Sequence, residues 1–409
     1  MVQTPSATEH TTAYPHVPYG KAVYGEKEIE AVNRVLRSST QMGKHTREME
    51  ARVAALYAKK HGIMVNSGSS ALYLAADLMN YEPGAEIITP ALTFSTTVAP
   101  QVKKGWIPAF VDVEEGTYNV DATKVEEMIT PKTKAMIIPN LIGNLPDWKQ
   151  LREIADKHGL FVLEDSADTL GAEIDGASSG RFTDMSTTSF YGSHIINCAG
   201  NGGMLCVNDD AHYDRGRLLR SWGRSSSLFV ESEAIENRFN VEVDGIPYDA
   251  KFVFEEPGYN IEPSELGAAF GLVQLDDLAH NIDTRTENFR RMREFFAQYE
   301  EHFVLPRQLP NSRTGWLAFT LTIRDSAPFI RRDLQIFLEK RNIQTRTVFT
   351  GNILRQPGFK NQPHKASPAG YPEADKVMRG GMLMACHHGL SEEQLAHVME
   401  SVTEFMKRA

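Results

Sequence analysis

Between Gly62 and Val207, short strand-like runs alternate with helical patterns, and this alternation constrains the fold more than any other feature of the chain. Gly62–Val65, Glu86–Pro90, Ile107–Val113, Ala135–Pro139, Leu160–Glu164, Met185–Phe190 and Gly203–Val207 read as strands, mostly without the polar interruptions of a half-solvated sheet. Between them Ser70–Met79, Thr96–Val102, Val125–Ile129 and Trp148–His158 read as helices. Such a βαβα order predicts an α/β fold with a large, mainly parallel sheet covered on both faces. Ligands of such sheets sit beyond the carboxyl ends of the strands. The stretches to read for function are therefore Thr93–Phe94, Asn140–Asn144, Asp165–Asp168 and Ser189–His194.

Gly68-Ser69-Ser70 follows the first strand and opens a helix, so unpaired amides, the positive dipole end and hydroxyls converge where an anion can approach. Gly68 and Ser69 are the candidate phosphate holders, although the same pattern by itself describes an ordinary serine N-cap. Asp165 ends an apolar run and delivers a carboxylate to the ligand face, where burial calls for a cationic partner. A local capping role also suits it, but does not account for Glu164, Asp165 and Asp168 crowding one loop. Phe94 has the shape to stack on a planar heterocycle, while a lone phenylalanine is more often plain core. Ser189–Gly203 is a polar turn with four glycines, and it carries His194, whose imidazole can move protons near neutral pH.

Composition excludes several functions. The chain has 409 residues, 41% hydrophobic and 23% charged, with no apolar run of 18 residues to span a bilayer, so no membrane role is expected. A net charge of −10 without a run of lysine or arginine speaks against nucleic acid. Three cysteines, Cys198, Cys206 and Cys386, form no CxxC pair and are too few for an ordinary iron–sulfur cluster, so no metal is expected. Met1–Tyr14 has neither a basic start nor an apolar centre, so it is no signal peptide. Residues 1–17 are expected as a disordered leader of a cytoplasmic protein.

The segment from Ser189-Phe190 through His194 to Gly202-Gly203 resembles the cofactor-lysine segment of the DegT/DnrJ/EryC1/StrS sugar aminotransferases, with His194 at the lysine position. The resemblance extends over about residues 18 to 405 and includes Gly68-Ser69 before Ala71-Leu72, and Gly258-Tyr259-Asn260. It implies the aspartate-aminotransferase-like fold of pyridoxal-phosphate enzymes (fold type I). A large cofactor-binding domain would span 18–280 and a small α+β domain 281–409. It further implies that Phe94 stacks on the pyridine ring, Asp165 pairs with the ring nitrogen, Asp168 lies beside the ring hydroxyl and Ser189 lines the cofactor site. Asn260 would reach the phosphate of a neighbouring subunit's cofactor, making the protein a homodimer. Arg224, Arg346, Asn352 and His387, at turns, are candidates to frame the substrate.

No lysine lies between Lys157 and Lys251, so a shifted register does not restore the missing amine. Imidazole cannot hold the aldehyde cofactor covalently. The branch with this swap comprises dehydratases that remove the 3-hydroxyl of nucleotide-linked 4-keto-6-deoxy sugars. Resemblance to it implies noncovalent pyridoxal or pyridoxamine phosphate, His194 as the base and, with only three cysteines, glutamate as the amino donor. A sugar aminotransferase using some other lysine, and a noncatalytic homologue that only binds nucleotide sugar, stay open beside it.

Overall fold

The computed structural model describes residues 14–229 and 233–408. Seven strands build the large sheet: β1 (His61–Val65), β2 (Glu86–Pro90), β3 (Ile107–Val111), β4 (Thr133–Pro139), β5 (Phe161–Ser166), β6 (Met185–Ser189) and β7 (Gly203–Val207). Their order is β1-β7-β6-β5-β4-β2-β3, and β7 alone runs antiparallel to its neighbours. Strand residues alternate between two buried faces. Ile87, Ala135, Ile137 and Leu163 pack with helix α1 (Gly68–Met79), while Ile88, Met136, Ile138 and Val162 pack with Trp148 and Leu151 of helix α2 (Trp148–His158). This double burial is why the strands contain so few charged residues.

The helix ends follow from single residues. Asp147 caps α2 by accepting from the Gln150 amide, and Gly159 ends it at φ +63°, a left-handed conformation that costs glycine little. The edge of β3 is covered by Lys365, whose backbone accepts from Phe110 and donates to Pro108. Residues 125–129, expected as a helix, form only 3₁₀ turns around Val125, a run too short to propagate α-helical bonds.

Four strands form a second, antiparallel sheet: β8 (Phe303–Val304), β9 (Phe319–Ile323), β10 (Arg346–Thr347) and β11 (Gly381–Met384), in the order β8-β9-β11-β10. The long helix α3 (Leu278–Phe296) leads into it. We keep 280/281 as a proposed domain boundary, which falls inside α3. One apolar cluster joins Leu92, Leu141 and Ile142 of the first part to Trp316, Phe319 and Leu383 of the second. Residues 1–13 of the expected leader lie outside the described residues. Val17 is a correction to that expectation: it is fully buried and bridges to Ile343, because an apolar side chain next to the second sheet gains by joining its core. No described helix is long and apolar enough to cross a membrane.

Candidate active site

The carboxyl ends of β2, β4, β5 and β6 and the start of α1 converge on a cleft of about 490 Å³. Gly68, Ser69, Phe94, Asp165, Asp168, Ser189 and His194 all line it, so seven residues read from separate stretches of sequence meet in one place. Their meeting follows from the topology. Each lies at or just past the end of a strand or at the start of the helix that follows one.

At the helix end, Ser67 caps α1 by accepting from the Ser70 amide, which leaves the first amides, Gly68 and Ser69, without acceptors inside the helix. The backbone here is closely packed. A Cβ on Gly68 would stand 2.6 Å from that of Ser189, and one on Gly203 would stand 2.3 Å from the Ser67 carbonyl carbon. Only glycine permits α1 and the His194 segment to approach this closely.

Asp165 is buried at the end of β5, accepts from Thr97 Oγ1 at 2.7 Å and from the Ala167 amide at 3.2 Å, and has no cation paired with it among the described residues. Burial raises its pKa above the ordinary carboxylate range, against those two donors. A cationic ring nitrogen is the partner such a group lacks. Asp168 accepts from the Ile142 amide at 2.9 Å. Burial lifts it to about 7, opposed by that amide and reinforced by the charge of Asp165. Ile142 holds its amide there at φ +61°, a left-handed conformation rare for a β-branched residue.

His194 is half-buried at the cleft wall. Its Nδ1 stands 3.3 Å from the Ser189 carbonyl, which can only accept, so Nδ1 carries the proton and Nε2 is free as a base. Burial lowers its pKa to about 4, the Ser189 bond opposing and the Arg285 charge adding to the shift, so the ring is neutral at pH 7. Among the described residues no lysine lines the cleft.

The remaining candidates lie elsewhere. Asn260 is exposed, bridges to Ser221 and does not line the cleft of its own chain. Arg224 lies over the Trp222 ring in a separate basic hollow, and Arg346 is exposed over the ring of Tyr19. Two others are buried and are not among the lining residues of this cleft. Asn352 is buried, donates to Asp375 and caps the Leu354 amide; His387 is buried and pairs with the Pro18 carbonyl. The polar atoms of Asn352 find protein partners, whereas Nδ1 of His387 is buried without one among the described residues. Sequence reading missed Tyr19, Thr97 and Phe349, which line the cleft. Thr97 carried a signal, a hydroxyl one turn past Phe94; Tyr19 and Phe349 carried none.

Residues 23–403 match the DegT/DnrJ/EryC1/StrS aminotransferase family. The chain belongs to that family. It is 32% identical to dTDP-4-dehydro-2,6-dideoxy-D-glucose 3-dehydratase of Saccharopolyspora spinosa, over 97% of this chain and 87% of that one. It is also 32% identical to GDP-4-keto-6-deoxy-D-mannose 3-dehydratase of Yersinia pseudotuberculosis, over 93% and 96% of the two chains. Among solved structures it is similar to the Escherichia coli GDP-4-keto-6-deoxy-D-mannose-3-dehydratase with bound hydrated pyridoxal phosphate, with a TM-score of 0.86, 26% identity and coverage of 94% and 99%. This family member therefore has the expected α/β fold, and the cleft described above is its candidate active site.

Proposed function

We propose that the protein is a pyridoxal- or pyridoxamine-phosphate-dependent 3-dehydratase of a nucleotide-linked 4-keto-6-deoxy sugar. The observation that carries this reading is the pairing of His194 at the cleft wall with the lack of any lysine among its described lining residues. The names of the Saccharopolyspora and Yersinia relatives support it. The donor set fits the cofactor: free amides at Gly68 and Ser69 suit its phosphate, the buried Asp165 carboxylate suits its ring nitrogen, and Phe94 beside Phe349 offers an aromatic face. Asp168 lines the same cleft and would face the ring hydroxyl.

When bound, the cofactor supplies an amine to engage the sugar's keto group and a cationic ring to draw electrons from the reacting carbon. His194 takes the proton at that carbon through Nε2 and returns it to the 3-hydroxyl as water leaves. Ser189 keeps the ring in the tautomer this needs, and Asp165 favours positive charge at the ring nitrogen. Glutamate is the amino donor; the three cysteines are buried in separate parts of the core, with Cys386 away from Cys198 and Cys206. The enzyme works as a cytoplasmic homodimer. Exposed Phe239, Ile246, Tyr248, Phe252, Phe254 and Tyr259 form an apolar arm that a second copy would cover, with Asn260 beside it.

The test is to load the full chain with pyridoxal phosphate, reduce with borohydride and weigh it after denaturation. A panel of nucleotide-linked 4-keto-6-deoxy sugars is incubated with the cofactor and glutamate in parallel. We expect an unmodified protein mass and a 3-deoxy sugar. A covalent lysine adduct would turn the reading to the aminotransferase, and no cofactor binding at all would turn it to a noncatalytic homologue.

A further inference from the structure

Arg285 lies in the middle of α3, fully buried, with no carboxylate within salt-bridge distance among the described residues. Isolated buried cations are costly, and arginine in such a place is normally matched by an acid. Here every contact of the guanidinium is to a neutral acceptor. Nη2 donates to the His194 carbonyl at 3.2 Å, Nη1 to the carbonyls of Trp316 and Leu317 at 3.1 Å each, and Nε to Nδ1 of His388 at 3.2 Å. One turn earlier on the same helix, Asn281 donates to the Ile195 carbonyl at 3.4 Å. Consecutive carbonyls of the His194 loop are thus fastened to a single helix face. Leu317, held by the same guanidinium, lines the cleft opposite the strand ends.

We propose that Arg285 is the positioning residue of the His194 base: its planar fork ties the His194 backbone to the Trp316–Leu317 carbonyls and sets an uncompensated cation behind the imidazole. The inference rests on the reading of His194 as the base. A planar five-donor group is required, because an ammonium cannot reach carbonyls on two sides and a ring nitrogen at once. The cation adds to the burial that keeps the imidazole neutral. Asp165 and Asp168 line the same cleft, with Tyr19 and Tyr191 beside them, and His388 lies behind the guanidinium. The Ser189 carbonyl favours the imidazolium; burial and Arg285 oppose it. Burial lowers Arg285 itself only to about 10, so it remains charged at working pH.

The experiment uses the full chain labelled with ¹³Cε1-histidine, titrated by NMR without cofactor, and a His194→Asn spectrum to assign the signal. Arg285→Met removes the charge and the fork, and Arg285→Lys keeps the charge alone. In Arg285→Met the His194 midpoint should rise by about one pH unit, as expected for losing a nearby like charge. Its kcat should fall by about ten- to a hundredfold with KM little changed, the effect of a misplaced group, and the acid limb of kcat should move up with the midpoint. In Arg285→Lys the midpoint should stay while kcat falls similarly. If Arg285→Met does not fold, Arg285→Lys decides: an unchanged kcat overturns the proposal. An unmoved His194 midpoint in a folded Arg285→Met overturns it as well. A parent that dehydrates nothing on the sugar panel refutes the dehydratase reading instead, and the NMR midpoints still decide the role of Arg285.

Discussion

The two walls of the cleft are built from the same kinds of residue and use them differently. On the strand-end wall, Asp165, Asp168, Ser69 and His194 keep bonding capacity turned toward the cleft. On the small-domain wall, polar side chains turn into the fold: Asn352 caps a turn, His387 pins the N-terminal segment through Nε2, and the cleft itself receives Leu317 and Phe349. Topology accounts for the difference. Parallel strands all end on one side and release their next residues into open space, whereas the turns of the antiparallel sheet must satisfy themselves against neighbouring backbone. The contrast between His194 and His387 is the sharpest case, since both are histidines at strand ends and only one lines the cleft.

His194→Lys should break the active wall most. Removing a positioned general base costs about 10²- to 10⁴-fold in rate, and here the new amine would also be taken up in a covalent link to the aldehyde cofactor. Mass after borohydride should show the adduct that the parent lacks, and the 3-deoxy product should nearly vanish. Dehydration at the parent's rate would show that the strand-end wall carries no base at this position.

Asp165→Asn comes next. Loss of one preorganised charge at a reacting group costs about 10²- to 10³-fold in kcat, and cofactor affinity should fall with it. Absorbance titration with pyridoxal phosphate and a rate measurement check both. Unchanged values for each would reduce Asp165 to a cap on the Ala167 turn.

The difference between the walls also explains what the sequence disclosed. Strand ends announce themselves, because an apolar run stops abruptly at a polar residue, as at Asp165, so most of the large sheet and the strand-end candidates were readable. Asn352 and His387 looked equally polar and equally turn-like, and nothing local reveals that their partners are Asp375 and Pro18, the latter 369 residues distant in the chain. Arg285 was hidden for the opposite reason. It sits among charged residues of α3, and its partners are the His194 loop nearly a hundred positions earlier, Trp316 and Leu317, and His388. Strands β8 and β11 were missed because strands of two and four residues carry too little periodicity to register.

Asn352→Ala tests the structural wall. It loses a cap and a bond to Asp375, which typically costs about 1–2 kcal/mol, so the melting temperature should drop by about 1–2 °C while KM for the sugar stays put. A tenfold rise in KM without a change in melting would place Asn352 at the substrate and erase the distinction between the walls.

The smallest effect is expected at Asp168, and its sign is particular. The folded pKa, about 7, lies above the ordinary carboxylate value of 3.8. As pH rises from 4 to 7 the unfolded chain therefore ionises this group while the folded cleft resists, so its contribution to stability, fully present below pH 4, is lost as pH passes through 7. Asp168→Asn cannot ionise and escapes the loss. The melting temperature of the cofactor-free variant should consequently gain on the parent between pH 5 and 7 and hold a constant lead above pH 8. Because the carboxyl borders an open cleft, solvent screening leaves the difference at about 1 kcal/mol, or about 1 °C for a chain of this length. Paired melts across that range measure it directly. A gap that does not change with pH would mean that Asp168 is ionised throughout, and the strand-end wall would then present two full negative charges to whatever binds there.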